Sequence, residues 1–482
     1  MIYLYISLGV IAAAVFSLLA VVLIRAALFT PKAGPAVDDG EVTLDKDAVI
    51  TRLAELVKCK TVSYRDPSLE DDAEFRKLLD LLPTLYPKVF ATCEYRELAD
   101  RGLLFKWTGK TEGAPAVLMA HYDVVPVDEA SWEKPPFEGI YEDGVLWGRG
   151  TLDTKVTFAS ALYALDKMIG EGFTPECDIY LAFSGCEEVN GKGAVHIVDY
   201  FEEQGITPAI VLDEGGAVVE GAFPGVVAPC AMVGIAEKGH FDLEYKVKSS
   251  GGHASAPKPH SPLPTLAEAC IKLEKNPFKT HITPPVGKMF DTLGRHANPI
   301  FRVIFANLWC FRWVLDLISN KSGGGMNALM RTTVAFTQAE GSSAANVIPP
   351  EATIVSNIRL NPVDTIDSAV EYIRKTVDDG SVELTVLRGT NPSRISTTDC
   401  EGYEKLSMAI VSTWRGSIVS PYLMMQGSDS RHWGRISDKV FRFSAMDLTE
   451  EERASIHGHN ERIRIDCLKR SAEFYIRLIK TL

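Results

Sequence analysis

Short apolar runs alternate with amphipathic segments from about residue 46, and this alternation is the feature that most constrains the fold. The run Ala116–Ala120 contains no polar residue, as expected of a strand that is buried on both faces of a sheet. The pattern predicts further strands at 179–183 and 209–212, and helices at 47–58, 155–169 and 193–201. Alternation of this kind predicts an α/β sheet with helices on both faces.

The N-terminal segment Ile2–Ile24 contains no charged residue. As a helix it would be about 30 Å long, which matches the hydrocarbon core of a bilayer. A cleaved signal peptide would have a basic start and a shorter apolar stretch, so we predict a single-pass anchor and tether over residues 1–40. Arg25 and Lys32 follow the span and point to the cytoplasmic side for the main body, but two charges leave the side open.

The pattern changes after about residue 236, where Phe241–Val247 alternates between apolar and polar side chains. From there the order is strand, helix, strand, strand, helix, strand, which predicts a smaller inserted α+β domain. These elements are expected at 241–247, 265–274, 328–337, 351–358, 367–377 and 382–387. The predicted domains are a first catalytic part at 41–236, the insertion at 237–393 and a second catalytic part at 394–482. An apolar stretch at 296–318 does not belong to this order of elements. It could contact an acyl chain or the bilayer, or it could be a buried lid helix or a dimer contact.

Composition excludes several classes of function. The chain has 50 basic and 63 acidic residues, and the net charge of −13 argues against a nucleic-acid partner. Its nine cysteines form no Cys-x-x-Cys pair, which argues against a disulfide framework and against a thiolate zinc site. No Gly-x-Ser-x-Gly sequence is present, so a serine hydrolase is disfavoured.

Polar side chains follow the predicted strands of the first domain or lie in its loops: His121 and Asp123, Asp153, Glu187 and Glu188, and Asp213 and Glu214. Ligands of α/β sheets bind beyond the carboxyl ends of strands, so these groups can converge on one crevice. Converging carboxylates repel one another unless a cation lies among them. Each residue alone could be a helix cap or a solvated edge, but together they predict divalent metal ions, with zinc preferred.

The same residues resemble a known family. The motifs are His121–Pro126, Gly148–Lys155, the Glu187-Glu188 pair, Asp213 and His457–Glu461. In this order they resemble the co-catalytic zinc peptidases related to aminoacylase, carboxypeptidase S and glutamate carboxypeptidase. The likeness is strongest to the carboxypeptidase S branch, which includes relatives that make and cleave N-fatty-acyl amino acids. It implies a catalytic domain with a central mixed sheet and an inserted lid domain through which two subunits can dimerise.

The resemblance also implies two Zn²⁺ ions per subunit, with Co²⁺ or Mn²⁺ as substitutes. One ion would be held by His121, Asp153 and Asp213. The other would be held by Asp153, Glu188 and His457. Glu187 would be the general base, and Asp123 would orient His121.

The inserted domain would supply the remaining groups of the site. His253 resembles the lid histidine that stabilises the oxyanion, Asn346 and Arg359 resemble the grip on the substrate carboxylate, and Gly427 resembles a loop glycine that lines the site. A simple turn at 251–253 and a surface ion pair at Arg359 are the alternatives.

The sequence thus predicts a membrane-anchored dinuclear zinc hydrolase. It would cleave the amide bond of peptides or N-acyl amino acids and release a free amino acid. The expected partners are this small substrate, the bilayer and a second subunit. A membrane-tethered, non-catalytic binding protein on the same fold is the alternative.

Overall fold

A computed structural model describes residues 2–482, apart from the side chain of Ser322. Its helices are α1 Ile2–Leu28, α2 Lys46–Val57, α3 Asp72–Leu85, α4 Pro87–Thr92, α5 Lys155–Gly170, α6 Gly193–Glu203, α7 Pro262–Lys275, α8 Pro284–His296, α9 Pro299–Ala306, α10 Leu308–Ser322, α11 Gly324–Met330, α12 Ile366–Val377, α13 Glu401–Thr413, α14 Glu450–Ser455 and α15 Ile465–Thr481. Its strands are β1 Glu94–Leu98, β2 Gly102–Trp107, β3 Ala116–His121, β4 Ile140–Glu142, β5 Val145–Trp147, β6 Ile179–Ser184, β7 Ile210–Val219, β8 Cys230–Glu237, β9 Gly239–Lys248, β10 Gly252–His253, β11 Thr333–Glu340, β12 Val347–Ile348, β13 Glu351–Leu360, β14 Glu383–Thr390, β15 Ile418–Met424, β16 Val440–Asp447 and β17 Arg462–Arg464.

The larger sheet has eight strands in the order β1-β2-β6-β3-β7-β16-β8-β15. Strand β3 runs parallel to both β6 and β7, and β7 runs parallel to β16, whereas β1 and β2 are antiparallel additions at one edge. Parallel neighbours bring the carboxyl ends of β3, β6 and β7 to one edge. The sheet is mixed, and the predicted α/β class is confirmed.

Helices cover both faces of this sheet. The helices α2, α4 and α15 pack around α5, whose side chains are almost all buried. On the other face, α6 and a short helix at Asp429–Arg435 enclose a second apolar cluster that includes Met119 and Trp433. Strand β3 is buried along its whole length because both of its faces are covered, which explains its uninterrupted apolar sequence.

The inserted segment forms its own antiparallel sheet, in the order β11-β13-β9-β14, with α7 and α12 packed together against it. This is the predicted element order, although the boundaries of the domains stay a prediction. One detail was wrong, since residues 328–330 belong to helix α11 rather than to a strand. The buried Lys238 ammonium donates to the Ala328 and Arg331 carbonyls at 2.8 Å, at the end of that helix. This contact spans 90 residues or more and leaves no trace in the local pattern.

Helix α1 is long and apolar enough to cross a membrane, with a mean hydropathy of 2.7 over its most apolar window, of which 6% is buried. Its length and composition fit either a membrane anchor or a signal sequence. The apolar stretch 296–318 forms α9 and most of α10, and α9 packs against the C-terminal end of α1.

Candidate metal centre

The polar residues that follow the parallel strands converge at one edge of the larger sheet. His121 is the last residue of β3, Glu187 and Glu188 follow β6, and Glu214 lies within β7. Together with Asp153, these side chains form two groups in which the possible ligand atoms all lie within 4.8 Å of one another. His121, Glu187 and Glu214 form one group, and His121, Asp153 and Glu188 form the other.

The carboxylate of Asp153 lies between two histidines. Its Oδ1 is 3.0 Å from Nε2 of His121, and its Oδ2 is 3.0 Å from Nε2 of His457. Nε2 of His121 is also 3.3 Å from Oε1 of Glu214, and Nε2 of His457 is 3.1 Å from Oε2 of Glu188. Each oxygen of Asp153 therefore belongs to a separate set of nitrogen and oxygen donors, which is the arrangement needed to bridge two cations.

The fully buried Asp123 holds three of these groups in place. Its carboxylate accepts hydrogen bonds from the backbone N–H groups of Glu187 at 3.1 Å and of Glu188 at 3.2 Å. Nδ1 of His121 lies 3.0 Å from the carbonyl oxygen of Asp123 and 3.4 Å from its Oδ1. A proton on Nδ1 leaves Nε2 free as a ligand, so the geometry fits the orienting role predicted for Asp123.

Glu461 positions the loop that carries Asp153, and we did not predict a role for it. Its buried carboxylate accepts hydrogen bonds from the backbone N–H groups of Leu152 at 2.7 Å and Asp153 at 3.1 Å, and it pairs with Arg149 at 2.6 Å. The sequence contained a signal for this role, because Glu461 ends the motif His457–Glu461 and Arg149 lies in the motif Gly148–Lys155. Nothing in the sequence indicated that the two motifs touch.

The prediction that Asp213 faces the metal needs correction. Successive side chains of a strand point to opposite faces, so Asp213 and Glu214 of β7 cannot both face His121. The structure directs Glu214 to His121, whereas the Asp213 carboxylate accepts a hydrogen bond from the backbone N–H of Ser430 at 2.9 Å. Glu214 therefore replaces Asp213 in the candidate ligand set. Asp213 stabilises the start of the short helix Asp429–Arg435.

This correction predicts different outcomes for two neighbouring substitutions. We expect Glu214→Gln to lower the zinc content of the purified protein, because an amide is a poorer ligand than a carboxylate. Asp213→Asn should keep the zinc content and lower only the melting temperature, because it weakens a buried hydrogen bond worth about 1–3 kcal/mol. Elemental analysis and thermal unfolding of the two variants distinguish these outcomes. Loss of metal from Asp213→Asn with retention in Glu214→Gln would restore the original assignment.

Burial without a cation makes the charged forms of these carboxylates costly. Burial, with repulsion from Asp153, raises the pKa of Glu188 to about 7 and that of Glu214 to about 7. Burial also raises the pKa of Glu187 well above its usual range. Hydrogen bonds to Asp153 and Glu188 raise the pKa of His457 to about 11. Without a metal cation, the cluster therefore holds protons that balance its negative charge.

These shifts predict that zinc affinity depends steeply on pH. Zinc requires deprotonated ligands, so binding near pH 6 must displace protons from Glu188, Glu214 and His457, whose pKa values are raised to about 7, 7 and 11. We expect affinity to rise more than about tenfold per pH unit from about pH 5 to 7, since at least one proton leaves per ion. Competition with a chelating dye at each pH measures this slope.

The stability of the metal-free chain should change in the opposite direction. A carboxyl group whose folded pKa is raised from 4.5 to about 7 stabilises the folded state at low pH, and that contribution is lost as the pH rises through 7. The melting temperature of the metal-free protein should therefore fall over this range. A zinc affinity that is flat with pH, or a metal-free melting temperature that rises, contradicts both expectations.

The donor set fits divalent metal ions of the zinc type. It offers two imidazoles and several carboxylates, and no cysteine takes part in either group. In addition, Oε1 of Glu188 is buried and has no hydrogen-bond partner within residues 2–482. A buried carboxylate oxygen without a partner is costly unless a cation contacts it.

A cavity of about 530 Å³ opens beside these carboxylates. Asp153, Glu188, Glu214 and His457 line one part of it, together with the predicted Gly427. The rest of the wall is largely apolar and includes the following side chains: Val219, Met232, Tyr422, Met424, Met425, Met446, Leu448 and Ile456.

The predicted residues of the inserted domain do not line this cavity within residues 2–482. The structure does bring two of them together, since His253 pairs with Val347 across β10 and β12, and Ala254 N–H donates to the Asn346 carbonyl at 3.0 Å. Arg359 lies on β13, where its Nε donates to Asn357 at 3.1 Å. Within residues 2–482 no carboxylate forms an ion pair with Arg359, so the surface ion pair considered above is not formed.

The fold and the converging ligands are those of a metal-dependent hydrolase. Residues 117–481 match the family model described as peptidase family M20/M25/M40. The chain belongs to this family, and the predicted family and enzyme class are confirmed.

Curated relatives place the chain in the predicted branch. It is 34% identical over 442 residues to the N-fatty-acyl-amino acid synthase/hydrolase PM20D1 of Xenopus tropicalis, a match covering 90% of this chain and 86% of the relative. It is 33% identical over 453 residues to the probable carboxypeptidase S-like 2 of Dictyostelium discoideum, covering 92% and 86%. The M20 family metallo-carboxypeptidase Sso-CP2 of Sulfolobus solfataricus shares the fold with a TM-score of 0.65 at 16% identity, covering 91% and 99%.

Proposed function

We propose that the protein is a dinuclear zinc hydrolase that cleaves N-acyl amino acids with long apolar acyl groups and releases a free amino acid. The observation that carries this proposal is the carboxylate of Asp153, whose two oxygens each lie 3.0 Å from a different histidine. A non-catalytic binding protein is the weaker alternative, because Glu187 and the candidate ligands are all present at the centre.

In this proposal His121, Asp153 and Glu214 hold one zinc ion, and Asp153, Glu188 and His457 hold the other. Bound zinc polarises a carbonyl group and lowers the pKa of water toward neutrality. Asp123 and Glu461 keep the ligands in position, through the hydrogen bonds described above.

Glu187 is the proposed general base. It lies beside His121 and Glu214 without belonging to either proposed ligand set, and burial raises its pKa well above the usual range. A carboxylate of raised pKa can accept the proton of the attacking water and then donate it to the nitrogen of the leaving amino acid.

The apolar wall of the cavity supports a long acyl chain as the group bound next to the centre. Four methionines line it, and methionine side chains adapt to flexible apolar ligands. The relative from Xenopus tropicalis is named for N-fatty-acyl amino acids, which agrees with this chemistry.

The free carboxylate of the substrate would be bound by the inserted domain. Arg359 has a guanidinium suited to a bidentate pair, and Asn346 would add a hydrogen bond. His253 is exposed and would stabilise the oxyanion when it reaches the centre of its own or a partner subunit in a dimer. In the same proposal α1 anchors the protein in a membrane.

A chain-length series tests the substrate. We expect kcat/KM to increase from N-acetyl to N-oleoyl amino acids and to exceed that for unmodified dipeptides. Met425→Gln places an amide in the apolar wall and should lower kcat/KM for the oleoyl substrate about tenfold, with little effect on the acetyl substrate. Met408→Gln, in α13 outside the cavity, is the matched control. A preference for dipeptides, or no effect of chain length, contradicts the proposed acyl group.

A further inference from the structure

Helix α10 exposes a stripe of large apolar side chains. Trp309, Trp313 and Leu317 are 59%, 67% and 48% exposed, and they lie four residues apart on one face of the helix. Ile300 of the adjoining α9 is 74% exposed. The opposite side of α10 packs inward, where Leu315 is buried. A continuous apolar surface of this kind marks a contact with another apolar phase or another molecule.

The C-terminal end of α1 contacts the junction of α9 and α10, next to this surface. Nε of Arg25 donates to the Ala306 carbonyl at 3.2 Å, and the buried Asn307 amide donates to the Val22 carbonyl at 3.0 Å. About 20 helical residues cross a hydrocarbon core. Arg25 is the first charged residue of α1, so in a membrane-spanning α1 the contacts at Val22 and Arg25 fall where the helix leaves the hydrocarbon and enters the headgroups.

The charge around the stripe is complementary to anionic headgroups. Residues 299–321, counted from the start of α9, contain three basic side chains and one acidic side chain, a local net charge of +2 in a chain whose total is −13. Basic residues beside exposed tryptophans are typical of segments that lie in a membrane interface, because the indole ring partitions to the headgroup level.

We propose that the exposed face of α9 and α10 lies in the headgroup region of the bilayer that α1 crosses, as a second membrane contact. This inference rests on the proposed anchoring role of α1. It commits to phospholipid as the occupant, because only 6% of the most apolar window of α1 is buried and the end of α1 contacts the junction of α9 and α10 beside this face.

The same face is connected to the catalytic cavity. The backbone N–H of Asn298, which precedes α9, donates to the Gly225 carbonyl at 2.8 Å, and the rings of Phe223 and Phe305 lie 4.5 Å apart. Both Phe223 and Gly225 belong to the loop after β7, the strand that carries Glu214 and whose last residue, Val219, lines the cavity. Docking would therefore hold the apolar wall of the cavity close to the lipid in which long-chain substrates dissolve.

The test uses the full-length, zinc-loaded protein reconstituted in vesicles of phosphatidylcholine and phosphatidylserine, with and without brominated phosphatidylcholine. Five of the seven tryptophans lie outside α9 and α10. We expect bromolipid quenching in the unsubstituted protein and loss of most of it in the W309F/W313F double variant. The W132F/W147F double variant is the matched control and should keep the quenching.

A second measurement reads the consequence for activity. Trp313→Glu should lower hydrolysis of a vesicle-borne N-oleoyl amino acid about tenfold, because burying an aromatic ring is worth at least that much, and should leave hydrolysis of a soluble N-acetyl substrate unchanged. The N-acetyl rate reports the catalytic proposal separately.

Three results overturn the inference. Protein that resists carbonate extraction but shows no quenching of Trp309 and Trp313 retains the anchor and refutes the second contact. Protein that is extracted from the vesicles refutes the anchor and the contact together. A detergent-solubilised dimer that becomes monomeric in Trp313→Glu, without quenching in vesicles, assigns the face to a second copy of the chain.

Discussion

Replacement of Asp153 by Asn is expected to remove both metal ions and to lower hydrolysis about a thousandfold or more. Each carboxylate oxygen faces a different histidine at 3.0 Å, so the substitution weakens both proposed sites at once. Two metal ions supply several kcal/mol of transition-state stabilisation, which sets the size of the loss. Elemental analysis of the purified variant and its kcat for an N-acyl amino acid measure the two effects.

Asp143→Asn is the matched control, because Asp143 is exposed in the turn between β4 and β5 and its positive φ of 51° suits asparagine. This variant should keep both metal and activity. Thermal unfolding of Asp153→Asn in chelator shows whether the fold persists, since the residue also pairs with two histidines. A folded Asp153→Asn protein that binds two ions and retains turnover would rule out the bridging role.

The second large effect is expected from Glu187→Gln. The glutamine cannot accept a proton from water, so kcat should fall about 10²–10⁴-fold, the usual contribution of a general base. Because Glu187 is not one of the proposed ligands, the zinc content should stay unchanged. Metal analysis and kcat measured on the same preparation separate the loss of a base from the loss of a metal.

The adjacent Glu188→Gln provides the sharpest comparison. It removes a proposed ligand, so this variant should lose zinc as well as activity and should recover some activity at high zinc concentration. Glu203→Gln, on the exposed end of α6, should change neither property. If Glu187→Gln loses zinc while Glu188→Gln keeps it, the roles of the two glutamates must be exchanged.

The local sequence pattern was sufficient to predict the strands that carry the candidate metal centre. The apolar run Ala116–Ala120 forms strand β3, and His121, the last residue of this strand, belongs to the candidate metal centre. Such runs are reliable where a strand is covered on both faces, because no polar side chain is tolerated there. Helix α11 was missed because the lysine that caps it is 90 residues away in the chain.

The choice between Asp213 and Glu214 shows what a motif leaves undecided. Both are carboxylates after the same apolar run, and either could serve as a ligand chemically. Extending the regular pairing of β3 with β7 would place Asp213 on the same face of the sheet as His121. The contact between Glu214 and His121 instead forms beyond the last paired residues, Leu118 and Leu212, where the pairing of β7 with β16 is also irregular.

The sequence by itself determined the α/β class, the family and the chemical inventory of the centre, because buried strands, turns and ligand types are properties of short segments. Only the tertiary structure decided that Glu214 lies beside His121, that Glu461 holds the loop of Asp153, and that the junction of α9 and α10 contacts the end of α1. Each of these depends on contacts between residues that are distant in the chain. Such contacts arise when the whole chain packs, so no local pattern can encode them.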